Sequence, residues 1–156
     1  MSHDTTKPKM PPYVEETLDE HRGCMKLVSD VEACLDRRPD QPAAWLAQLR
    51  EALESLGFGL RQHFRAEEAG RLFADLAESH PRLSGPLNKL VDEHRLMLAA
   101  IEAAIGRADA LADPEPFELR ELNARVQMLI AQIRRHEAEE NELVLRAYWR
   151  ESGVGD

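Results

Sequence analysis

Four segments of the chain carry apolar residues at alternating spacings of four and three, and in each the rhythm runs through a histidine without a slip. That spacing places every marked residue on one face of an α-helix. The first face is Val14, Leu18, His21, Met25 and Val28. The second is Leu49, Leu53, Leu56, Leu60, His63 and Glu67. The third is Leu87, Val91, His94, Leu98, Ile101 and Ile105. The fourth is Leu122, Val126, Leu129, Ile133, His136, Glu140 and Leu143. An offset of 73 residues lays the first two faces on the last two, His21 on His94, His63 on His136 and Glu67 on Glu140. The apolar positions match as well, Val14 with Leu87 and Leu60 with Ile133. Asp-Glu-His-Arg opens each half, 42 residues before the histidine of a His-x-x-x-Glu pair.

Proline-rich breaks separate the faces: Arg38-Pro39-Asp40-Gln41-Pro42, Ser79-His80-Pro81 followed by Ser84-Gly85-Pro86, and Asp113-Pro114-Glu115-Pro116. Connections this short force antiparallel neighbours. The expected fold is all-α, an up-down-up-down four-helix bundle with an internal two-fold pseudo-symmetry. It spans residues 11–152, after a polar arm at residues 1–10, and ends around Gly153. The second helix is expected to run unbroken through Leu72, Phe73 and Leu76 to Ser79. Gly57 and Gly59 lie inside it, where each costs about 1 kcal/mol against alanine; close helix packing is the reading they favour over room for a ligand.

The chain's 156 residues are enough for one domain with its own core. A formal net charge of −9 argues against a basic nucleic-acid face. No apolar run approaches the roughly 20 residues of a membrane span, and residues 1–10 lack the apolar stretch of a secretory signal. Cys24 and Cys34 lie ten residues apart on one helical segment, a rise of about 15 Å, too far for a disulfide. Reduced thiols and a cytoplasmic location follow.

Six polar residues on apolar faces need an explanation. Buried, unpaired carboxylates are costly, and two facing each other would force one to take up a proton. Metal ions supply the missing positive charge, and imidazole with carboxylate suits iron, zinc or manganese. His21, His63, His94 and His136, with Glu67 and Glu140 one turn beyond two of them, suffice for two metals. None of the histidines has the glutamate three residues earlier that ferritin-type bundles use, and there is no His-Glu-x-x-His.

The order and spacing of His21, His63-x-x-x-Glu67, His94 and His136-x-x-x-Glu140 resemble the hemerythrin-like (HHE cation-binding) family over residues 13–148. The resemblance implies two iron ions, oxo- or hydroxo-bridged. His21 and His63 would bind one and His94 and His136 the other, with Glu67 and Glu140 bridging. Oxygen-carrying members have a further histidine on the third helix, where this chain has Leu98, and an aspartate one residue beyond Glu140. The chain is therefore similar to the divergent branch, which handles or senses oxygen, peroxide or nitric oxide. Leu98 leaves both irons an open position, and reaction rather than reversible carriage is expected. The partner expected is a small diatomic or peroxide ligand, with no nucleic acid and no membrane; the sequence names no redox partner. The alternative is a regulatory or interaction domain whose metal centre signals iron status or staples the fold. A single domain has no output segment, which favours stand-alone handling.

Other polar residues read more plainly. His80 is a loop histidine and His3 belongs to the arm. Cys24, one turn after His21, reads as a small buried hydrophobe. Among Asp19, Glu20, Asp92, Glu93 and Glu137, some are placed to accept imidazole N–H groups and most read as solvated. Glu68 and Glu139 are expected off the core face.

Overall fold

Proline and short polar breaks stop each helix where the sequence suggests, with one exception. A computed structural model describes residues 11–37 and 40–150, with side chains through Tyr148. The polar arm with His3, and the end expected near Gly153, lie outside the described residues. Helix α1 is Pro12–Asp36, α2 Pro42–Ala69, α3 Arg71–Ser79, α4 Ser84–Ala110 and α5 Pro116–Leu145. A 3-10 turn, Pro81–Leu83, precedes α4, and a π-helical turn, Arg146–Arg150, follows α5. Pro12, Pro42 and Pro116 sit in first turns, where a missing N–H costs nothing. Glu115 and Glu118 form a reciprocal capping box at the start of α5.

The exception is Gly70. The expected single helix through Ser79 is two helices, because Gly70 is extended and α3 starts afresh after it. A Cβ at Gly70 would collide with the carbonyl oxygen of Ala66, so only glycine lets the chain turn there. Gly57 and Gly59 do serve close packing. A Cβ at Gly57 would lie 3.3 Å from Ile101 Cγ2, and one at Gly59 would lie 2.5 Å from Leu27 Cδ1.

Helices α1, α2, α4 and α5 form a ring of contacts, α1 with α2, α2 with α4, α4 with α5 and α5 with α1, while α3 touches α1, α2 and α4. Polar contacts tie the neighbours. Trp45 Nε1 donates to Cys34 O at 2.8 Å, Arg61 pairs with Glu102 at 3.1 Å, and Arg107 pairs with Glu118 at 3.2 Å. Asn123 Nδ2 donates to Leu35 O at 3.2 Å. The described part is thus an all-helical bundle, and none of its helices is long and apolar enough to cross a membrane.

The buried faces of α2 and α5 are the expected ones throughout. In α1 and α4 the face is turned slightly. Helix α4 buries Leu90, Met97 and Ala104 beside His94 and Ile101, leaving Val91, Leu98 and Ile105 only partly buried. In α1, Cys24 is buried and Leu18 and Met25 partly so. Both candidate stripes of α4 are apolar, so the four-three rhythm alone could not separate them.

The core itself is in two parts. One apolar cluster joins Val28, Leu53, Ile101, Val126 and their neighbours; the other joins Val14, Leu72, Leu76, Leu87, Leu143 and theirs. On α1, α4 and α5 the core histidine falls between residues of the first cluster and residues of the second. His63 and Glu67, near the end of α2, complete a polar layer between the two clusters.

Candidate metal centre

Each helix delivers its donors through the periodicity that buries its leucines. All six expected donors, with Glu137, are at most 5% exposed. His21 Nε2 lies 2.9 Å from Glu140 Oε1 and 3.7 Å from Glu67 Oε1. His63 Nε2 touches Glu67, and His136 Nε2 lies 3.5 Å from Glu140 Oε2. The imidazoles pair across helices, His21 with His63 at 4.6 Å between centroids and His94 with His136 at 5.0 Å.

Possible ligand atoms of His21, His63, Glu137 and Glu140 fall within 4.8 Å of one another, and so do those of His94, His136 and Glu140. Glu140 is common to both sets. Glu67 joins them through its contacts with His63 and His21 and lies outside both. His80 caps α3, its backbone N–H donating to Leu76 O, and belongs to neither set.

The outer edges of the rings have their own partners. His63 Nδ1 meets Glu20 at 3.0 Å and His136 Nδ1 meets Glu93 at 2.8 Å. His21 Nδ1 meets Asn141 Oδ1 at 3.2 Å, and His94 Nδ1 lies 3.5 Å from Glu68 Oε1. An acceptor at Nδ1 directs Nε2 inward as the donor. Glu20 and Glu93 thus fill a role legible in the sequence. Glu68, off the core face as expected, approaches an imidazole from an exposed position. Glu137, one of the flanking acids most of which read as solvated, is instead buried in the centre.

Burial and crowding set the ionisation. Burial alone would lower the pKa of His21, but the carboxylates of Glu140 and Glu67 outweigh it and push it up to about 11. Burial would likewise lower His63 and His136, and facing glutamates raise both. His94 is pushed down to about 4 by burial and by the nearby His136. Burial, reinforced by Glu140, raises Glu67 to about 7. Burial would also raise Glu140, but His136 and His21 hold it well below the usual carboxylate range. Cys24 is pushed up to about 12 by burial and by Glu137, a thiol rather than a thiolate. Cys24 and Cys34 are both buried and free.

The donor chemistry fits metal. The Nε2 atoms of His21, His63, His94 and His136, and both oxygens of Glu67, Glu137 and Glu140, are buried without a hydrogen-bond partner. Natural cores rarely leave polar atoms in that condition. Imidazole nitrogens and carboxylate oxygens gathered within 4.8 Å of one another are a donor set that a cation would satisfy together. Two grooves reach the donors from the surface. One, of about 410 Å³, lies between α1 and α2 and is lined by Gly23, Cys24, Gly59 and His63. The other, of about 440 Å³, lies between α1 and α5 and reaches His21 and Glu137.

No curated protein and no solved structure matches the chain significantly. The family model of the hemerythrin HHE cation binding domain matches residues 13–148. That span holds all four core histidines and every buried carboxylate around them, and with it the chain belongs to the hemerythrin HHE cation-binding family.

Proposed function

We propose that this chain is a non-haem di-iron protein that reacts with, or senses, oxygen, peroxide or nitric oxide. The observation that carries the reading is the buried layer of imidazole and carboxylate atoms without hydrogen-bond partners, divided into two sets that share Glu140. His21 and His63 would hold one iron and His94 and His136 the other, with Glu67 and Glu140 between them. The cross-helix contacts support an up-down-up-down bundle with a pseudo-two-fold axis, since the Nδ1 partners of the histidines recur at the offset of 73 residues seen in the sequence. Iron there would supply electrons and an open coordination position for a small ligand. The chain's part is to hold four nitrogens inward, to exclude bulk water with Leu60 and Ile133, and to admit small molecules along the α1–α2 and α1–α5 grooves. Unpaired cysteines support a cytoplasmic setting.

A second reading has its own support. The donor layer separates two apolar clusters, so a metal could serve chiefly as a structural staple or an iron-status signal. One experiment separates the two. Iron content is measured after reconstitution, then the protein is reduced without oxygen, exposed to oxygen and evacuated while its spectrum is followed. Two irons per chain that oxidise and do not return under vacuum support reaction; full recovery over repeated cycles restores reversible carriage. Bound iron that stays unchanged in oxygen, peroxide and nitric oxide leaves only the structural role.

A further inference from the structure

The two halves of the centre are not equivalent, and one difference lies inside the buried donor layer. At the repeat offset, the counterpart of Glu137 is Phe64. Phe64 lies flat on His94, whereas Glu137 brings Oε2 within 3.2 Å of His21 Nδ1. A carboxylate in that place could merely accept the imidazole proton, but that position is already served. Three of the histidines have a hydrogen-bond partner at Nδ1, and for His21 it is Asn141 at 3.2 Å; His94 Nδ1 lies 3.5 Å from Glu68 without a hydrogen bond. With its Nε2 given to a metal, His21 is a neutral imidazole with one N–H to give, at Nδ1. Glu137 is a second acceptor beside a nitrogen already served by Asn141, it is 4% exposed, and both of its oxygens are without hydrogen-bond partners. It also offers an oxygen within 4.8 Å of ligand atoms of His21, His63 and Glu140.

We infer that Glu137 is a terminal ligand of the metal held by His21 and His63, and that it makes this position the one filled first. The inference rests on the di-metal reading above and deepens it. The His21–His63 position has an extra anionic oxygen, a donor that hard cations favour. Its counterpart at His94 and His136 has an aromatic ring in the same place and depends on the shared carboxylates alone. Loading is therefore sequential, with the two metals in distinguishable surroundings.

The test uses the full metal-free chain, titrated anaerobically with iron(II) and followed by calorimetry, with Mössbauer spectra at one and two equivalents of 57Fe. The wild type should bind in two steps, with one quadrupole doublet at the first equivalent and a second, different doublet after it. Glu137→Gln keeps the shape and a hydrogen-bonding oxygen but removes the charge. It should weaken the tighter step by about 100-fold, at or beyond the upper end of the roughly 10–100-fold expected of a residue that only orients a ligand, and leave the weaker step nearly unchanged. Circular dichroism of the metal-free variant checks that it folds; Glu137→Asp, which keeps the charge on a shorter arm, should recover part of the lost affinity. Equal steps in the wild type, or a Gln variant that loads like the wild type, would overturn the inference and leave the di-metal reading intact. A wild type that takes up one iron only would sink the di-metal reading, while a single step weakened by Glu137→Gln would still support Glu137 as a ligand.

Discussion

Phe64 lies flat against His94, the ring centroids 3.8 Å apart and the planes within 5° of parallel. Phe64 is also part of the larger apolar cluster, so one side chain both fills the core and backs the His94 ring, a candidate metal donor. Phe64→Ala should cost about 3–5 kcal/mol in the metal-free protein, the usual range for emptying a buried aromatic position. Denaturant unfolding measures it. Because His94 loses its backing, the weaker metal step should also fall, whereas Phe64→Leu should lose little of either.

Glu67 should oppose the metal-free fold and support the loaded one. Its folded pKa of about 7 lies above its ordinary 4.5, so the folded state binds more protons between those values. Stability from this group is present in full below pH 4.5 and is lost as pH rises through 7. Glutamine mimics the protonated form. Metal-free Glu67→Gln should therefore melt higher than wild type above pH 7, and the order should reverse once iron is bound. Melting curves with and without iron at pH 8 check the crossover.

Metal uptake should release protons. His21, with a folded pKa of about 11, holds a proton at neutral pH that a metal must displace, and the upward shifts of His63 and His136 by their facing glutamates act in the same direction. Affinity should rise with pH, and heats measured in buffers of different ionisation enthalpy should reveal the released protons. Identical heats in all buffers would contradict this ionisation pattern.

His94 should respond to acid in the opposite sense. Its pKa falls from 6.5 to about 4 on folding, so between those values the unfolded chain binds a proton that the folded chain refuses. Its contribution is complete above pH 6.5 and is lost as pH falls toward 4. In the metal-free protein, His94→Gln should flatten the acid limb of the stability curve in that window.

Cys24 should be silent toward alkylating reagents in the folded protein. It is buried, and its pKa is pushed up to about 12, which leaves almost no thiolate at neutral pH. Cys24→Ala should keep full metal content. Mass spectrometry after iodoacetamide treatment, before and after denaturation, reads both cysteines.

What the sequence could disclose followed from periodicity. His63, Glu67, His136 and Glu140 sit in unbroken four-three series with leucines, so their burial was legible along with the all-helical fold. Glu137 was not, because a charge beside a core position ordinarily faces water and its partners lie on another helix. Its place becomes readable only when His136 and Glu140 are drawn on the same helix face with it between them. Gly70 was hidden for a related reason. Leu72, Phe73 and Leu76 continue an apolar helical pattern, and nothing in that pattern announces the collision of a Cβ with Ala66 O. Met97 and Leu98 are both apolar neighbours on α4, and only the packing partners decide which is inside.

The polar layer between the two apolar clusters also bears on how the molecule comes apart. Each cluster coheres through its own leucines and valines, but the seam between them is made of buried polar groups, many of whose atoms have no hydrogen-bond partner. Cooperative unfolding requires the parts to lose order together. Bound iron would then be the rivet that makes one foldon out of two. In the iron-free chain the end formed by Val14, α3 and Leu143 should exchange its amide hydrogens sooner than the end around Leu53 and Val126, and loading should bring the two rates together.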